Sequence, residues 1–112
     1  MDIIEKLTST LESRRDADPA TSYVASLYAK GLNKILEKIG EESTEVILAA
    51  KEVENGADKA TLVHEVADLW FHSLVALVHL NVDPREVLRA LEDRSGVSGH
   101  AEKRARARKP GN

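Results

Sequence analysis

Residues 32–54 read LNKILEKIGEESTEVILAAKEVE, and the reading of this stretch decides the fold. Leu32, Ile35, Ile39, Val46, Ala49 and Val53 recur at three- and four-residue intervals, which marks one apolar stripe along a helix. Glu42 falls in the middle of that stripe. Glu45 lies one turn on, and Glu41 flanks it on the adjoining arc. A second segment repeats the arrangement. Leu62, Leu69, Ser73, Ala76 and Leu80 mark its inner face, with Glu65 on the border and Asp68 three residues later. The short Asn55-Gly56 connection forces the two helices antiparallel, so both acidic clusters face one seam.

An ionised carboxylate in a core is costly, and several close together also repel one another. Something positive must sit between Glu41, Glu42, Glu45, Glu65 and Asp68. Neither stripe carries a Lys or Arg on its inner face, which leaves cations from solution. A donor set made only of carboxylate oxygen, with no Cys in the chain, favours Mg²⁺ or Mn²⁺ over Zn²⁺. A di-iron bundle would need inward Glu-x-x-His pairs on two helices, and that spacing is absent. His64, His72 and His79 all belong to one helix. His72 is close to the inner face, one turn after Asp68, where it serves as a packing histidine or as a hydrogen-bond partner of the site. His64 and His79 read as structural or exposed.

Outward from the two acidic helices, Ile3, Ile4, Leu7 and Leu11 predict a helix from about Ile3 to Arg14, which DADPATS interrupts. Ser22 is a candidate N-cap for a short helix through Tyr23, Leu27 and Lys30, ended or kinked by Gly31. The long helix then runs to about Glu54, Asp58 caps the next one, and that continues to about Leu80. Asp83-Pro84 opens a last helix to about Glu92. Nothing alternates with period two. The expected fold is therefore all-α, a bundle of about four to five helices with two long antiparallel acidic helices.

The 112 residues make one small domain, with an all-α domain expected over 1–97 and a basic, partly flexible tail over 98–112. That tail holds five Lys or Arg against one acid, about +4, which leaves about −7 on the other 97 residues. So acidic a body is a poor nucleic-acid binder, and the tail reads as a solvated terminus or a contact for phosphates. The absence of Cys removes disulfides and thiolate chemistry and suits a reducing cytoplasm. No signal-peptide run is present, and no apolar stretch is expected to span a membrane.

Carboxylates that hold Mg²⁺ commonly neutralise phosphates and activate water for attack on phosphorus, so cations should ring the site. Lys38 stands about one turn before Glu41 and Glu42, and Lys34 a turn further back. Lys51 lies beyond Glu45. Arg94 in EDRSGVSG and Lys103 in EKRAR flank a Gly- and Ser-rich stretch whose amides can wrap phosphate. No P-loop, GxGxxG or Ser-His-Asp arrangement is present.

The segments SYVASLYAKGLNKILEKIGEESTEVILAAK, HEVADLWFHSLVAL and RSGVSGHAEK together resemble the phosphoribosyl-ATP pyrophosphohydrolases of histidine biosynthesis, within the all-α nucleoside triphosphate pyrophosphohydrolase (MazG-like) superfamily. The resemblance covers most of the chain. EExxE with ExxD carries the superfamily, and SYVASLYAKG, KIGEE, ADLWFHSLV and SGxxEK carry the family. It implies a cytoplasmic homodimer that hydrolyses phosphoribosyl-ATP to phosphoribosyl-AMP and pyrophosphate, with neither nucleic acid nor membrane as partner. It also implies Mg²⁺ held by Glu42, Glu45, Glu65 and Asp68, with Glu41 as a further ligand or, like Glu42, a catalytic carboxylate. Fusion to a zinc-dependent cyclohydrolase, known in some relatives, is not expected in a chain without Cys. Phe71 stands where relatives often carry Tyr, and Arg104 follows Lys103 where a small residue is usual. Two other classes share part of the pattern. A pyrophosphohydrolase of dNTPs would use the same metal site, and a helical interaction module would use the basic tail to bind RNA.

Overall fold

In the computed structural model, which describes residues 2–96, five α-helices and one 3-10 turn account for most of the chain, with no strand among the described residues. Helix α1 spans Ile3–Ser13 and runs into the 3-10 turn Arg14–Asp16; α2 spans Tyr23–Lys30, α3 Leu32–Glu54, α4 Lys59–His79 and α5 Arg85–Ser95.

Local chemistry sets these boundaries. Asp2, Ser22 and Asp58 each accept a backbone N–H of the first turn, from Glu5, Ala25 and Ala60, and so satisfy donors that a helix start leaves free. Asp83 does the same for Arg85 at 2.9 Å, with Pro84 preceding the first residue of α5. Gly31 separates α2 from α3 at φ 96°, ψ 175°, a conformation essentially restricted to glycine. Gly31→Ala is expected to lower the stability by about 1–3 kcal/mol although the added methyl meets no atom within 4 Å, because the cost lies in the backbone; thermal denaturation checks it.

At the far end of α3, Gly56 takes φ 100°, and the amides of Gly56 and Ala57 reach back to the carbonyls of Val53 and Glu52. Asn81, at φ 62°, closes α4 in the same way, its amide and that of Val82 reaching Val78 and Leu77. Arg15 donates to the Val78 carbonyl and Tyr28 to the Leu11 carbonyl, so the 3-10 turn is tied to α4 and α2 to α1.

Helices α3 and α4 form the dominant pair, joined by Asn55–Asp58, with α2 packed on α3 and α1 on α4. The core contains Leu11, Val24, Leu27, Ile35, Leu74, Val75, Ala76 and Val78. On α3, Ile35, Glu42 and Ala49 recur every seven residues as one buried line, so the stripe read from the sequence is the packed face. On α4 the buried line differs from the expected one. It contains His72, Leu74, Val75, Ala76 and Val78, while Leu80 caps the helix and is exposed. Because α4 packs against both α3 and α1, it is apolar over much of its circumference. Lys59–His79 is thus long and apolar for a helix that carries Glu65 and Asp68, as suits its packing between two neighbours. Helix α5 extends past Glu92 to Ser95 because no helix breaker precedes Gly96, and it buries none of its residues. The expected tail over 98–112 lies outside the described residues.

Candidate metal centre

Carboxylate oxygens of Glu42, Glu45 and Glu65 lie within 4.8 Å of one another across the α3–α4 seam. Glu42 is 8% exposed and Glu65 partly buried, whereas Glu45 is open to solvent. One oxygen of Glu42 and one of Glu65, Oε2 in each, is buried with no hydrogen-bond partner. Unpartnered anionic oxygens in such a position are costly.

The acids perturb one another accordingly. Burial raises the Glu42 pKa above its ordinary value, and repulsion from Asp68 and Glu45 adds to the shift, partly offset by His72. For Glu65 a proton shared with the Glu45 carboxyl is the largest influence, followed by burial and repulsion from Glu45, Asp68 and Glu42. Both shifts are upward, so the stability these groups contribute is fully present below the ordinary glutamate value of 4.5 and is lost as pH rises through the raised folded values. In EDTA, thermal stability should therefore fall as pH rises above the ordinary glutamate value of 4.5 by more in the wild type than in Glu65→Gln. Equal falls in the two proteins would contradict this coupling.

Asp68 and Glu41 stand beside the trio but are turned to other partners. Asp68 Oδ2 is 3.7 Å from His64 Nε2, and Glu41 Oε2 is 3.4 Å from Lys38 Nζ, a hydrogen bond that raises the lysine pKa and keeps it charged. Asp68 also lines an open apolar groove of about 430 Å³ between α1 and α4, together with Ile4, Leu7, Trp70 and Phe71. Lys51 pairs with Glu54 at 2.7 Å on the exposed side of α3, beyond Glu45. Arg94, expected in a loop, is exposed in the last turn of α5, with Gly96 as its cap. Ser98, Gly99 and Lys103 lie outside the described residues.

The model of the phosphoribosyl-ATP pyrophosphohydrolases matches residues 4–95, which takes in all five helices bar the first residue of α1. The chain belongs to that family. Its reaction is hydrolysis of phosphoribosyl-ATP to phosphoribosyl-AMP and pyrophosphate, in histidine biosynthesis. An enzyme of a small nucleotide substrate therefore accounts for the acids at the seam better than an interaction module does. Oxygen-only donors, two buried oxygens without a partner and mutual separations below 4.8 Å suit a hard divalent cation.

Sequence reasoning overlooked Tyr23. Its hydroxyl is 2.8 Å from His72 Nε2, across 49 positions of chain that no helical periodicity connects. The only signal was its place in the SYVASLYAKG segment.

Proposed function

We propose that this phosphoribosyl-ATP pyrophosphohydrolase depends on Mg²⁺, or Mn²⁺ in its place, held by Glu42, Glu45, Glu65 and Asp68. The observation that carries the proposal is the pair of buried, unpartnered carboxylate oxygens on facing helices. Such an ion supplies charge neutralisation for a polyphosphate and a lowered pKa for water.

The chain's own residues do the rest. Water attacks phosphorus, the bond to the departing phosphate oxygen breaks, and a glutamate accepts the water's proton. Glu41 suits that base, being exposed at the flank of the cluster, with Lys38 holding its Oε2 in place. Lys38 can then exchange its carboxylate partner for a substrate phosphate. Lys38→Ala is expected to raise KM for phosphoribosyl-ATP several-fold with a smaller change in kcat. Steady-state kinetics test this, and an unchanged KM would exclude the contact. The same comparison with Lys51, Arg94 and Lys103 ranks the other candidate cations.

What the helices leave uncovered supports a homodimer: Leu36, Ile47 and Leu48 on α3, Val63 and Trp70 on α4, and Val87 and Leu91 on α5 are all exposed. Light scattering should give near twice the chain mass of 12.3 kDa. We place the protein in the cytoplasm, which a chain without Cys suits. Pyrophosphate release tests the whole reading, with phosphoribosyl-ATP and separately with dNTPs, each in Mg²⁺ and in EDTA. Release from phosphoribosyl-ATP that EDTA abolishes is expected. Release unaffected by EDTA would overturn the metal dependence, and release from dNTPs alone would overturn the substrate.

A further inference from the structure

His72 is 6% exposed and touches three helices at once. Its Nδ1 lies 3.0 Å from the Asp68 carbonyl on its own helix and 3.7 Å from Glu42 Oε1 on α3. Its Nε2 lies 2.8 Å from the hydroxyl of Tyr23 at the start of α2. Both neighbours of Nδ1 are acceptors, so Nδ1 carries the proton. In the neutral ring Nε2 then keeps its lone pair and accepts the Tyr23 O–H, which fixes the tautomer from the far side. The rings of Tyr23 and Phe71 meet the imidazole edge-on, at centroid distances of 5.9 and 5.5 Å, and hold its plane.

Glu42 therefore sees both favourable and unfavourable side-chain neighbours. Glu45 and Asp68 repel it, the Lys38 charge attracts it from a distance, and His72 Nδ1 lies 3.7 Å from its Oε1. Among the described residues His72 is the attracting group within 4 Å of a Glu42 oxygen, so it biases which of the two oxygens faces the imidazole. We infer that Tyr23 and His72 are positioning residues for the acidic cluster: the Nδ1–H, donated to the Asp68 carbonyl, presents its positive dipole to Glu42 Oε1 and leaves Oε2 free for an ion, and Tyr23 makes that geometry depend on the docking of α2. The inference rests on the metal reading above and deepens it.

The probe is Mn²⁺ alone, titrated without substrate into the intact chain and followed by the electron paramagnetic resonance of the free ion. His72→Gln keeps a polar group toward Tyr23 but has none at the Nδ1 position, whereas the side-chain amide of His72→Asn lies near that position. Weakening of Mn²⁺ affinity by about 10- to 100-fold is expected for His72→Gln and His72→Leu, and by about threefold or less for His72→Asn. Tyr23→Phe, a milder change at a half-exposed ring, should weaken it by about 3- to 10-fold. Melting temperatures in EDTA separate this from packing. If His72 only filled space, Mn²⁺ affinity would follow the melting temperature, and the smaller Asn would be no better than Leu. Wild-type affinity in all four variants, or equal loss in Asn and Leu, would overturn the positioning role while leaving the metal centre intact. No binding by the wild type would overturn the metal centre and the inference with it.

Discussion

Glu42→Gln should cut turnover of phosphoribosyl-ATP by about three orders of magnitude while raising the melting temperature in EDTA. The two halves have one cause. Glu42 occupies the buried line of α3 between Ile35 and Ala49, a place that apolar packing would fill better, and its Oε2 has no partner. Removing its charge relieves burial and the repulsion from Asp68 and Glu45, so the chain without metal gains stability. The same neutral amide is a poor partner for a divalent cation, so the stabilisation that Mg²⁺ gives the wild type should shrink or vanish. Activity assays and melting curves with and without Mg²⁺ check both halves. Retained turnover would remove Glu42 from the machinery, and a lower melting temperature in EDTA would mean that the acid contributes to packing.

Ile35→Ala is expected to have the largest effect on stability, about 2–5 kcal/mol. Ile35 is fully buried, and it belongs to the cluster that Leu27 of α2 and Val75 and Val78 of α4 also build. The lost side chain leaves a cavity where three helices meet, in a domain whose total stability is expected to be only about 5–15 kcal/mol. Chemical denaturation should show the midpoint falling with little change in slope. Since Ile35 is two turns from Glu42 on the same face, kcat of the remaining folded fraction should change far less than the stability.

Much of this was legible in the sequence because helical signals are local. Gly31, Asn55-Gly56 and the capping Ser22, Asp58 and Asp83 sit where the helices begin and end, and the boundaries of α3 agree with those read from its stripe. The buried place of Glu42 followed from its phase against Ile35 and Ala49. What failed depended on more than one helix. Leu80 continues the apolar phase of α4, but the left-handed Asn81 turns the chain away just beyond it and leaves Leu80 exposed. The last helix was read to about Glu92, yet it continues to Ser95 and so takes in Arg94. Glu41 and Glu42 are adjacent in the chain and were grouped, yet a 100° step around the helix turns one to Lys38 and the other to the core. The contact of Tyr23 with His72 is tertiary, and no spacing rule contains it.

The α3–α4 hairpin has a consequence for how the enzyme comes into being. Glu45 and Glu65 face each other across a connection of four residues, Asn55–Asp58, and no acid of the cluster comes from α1, α2 or α5. Contacts so near in sequence form early in folding, so the acids can meet before the flanking helices dock. The hairpin is in that sense a local unit of folding. All the acids of the cluster come from this one hairpin, while α2 reaches it through Tyr23.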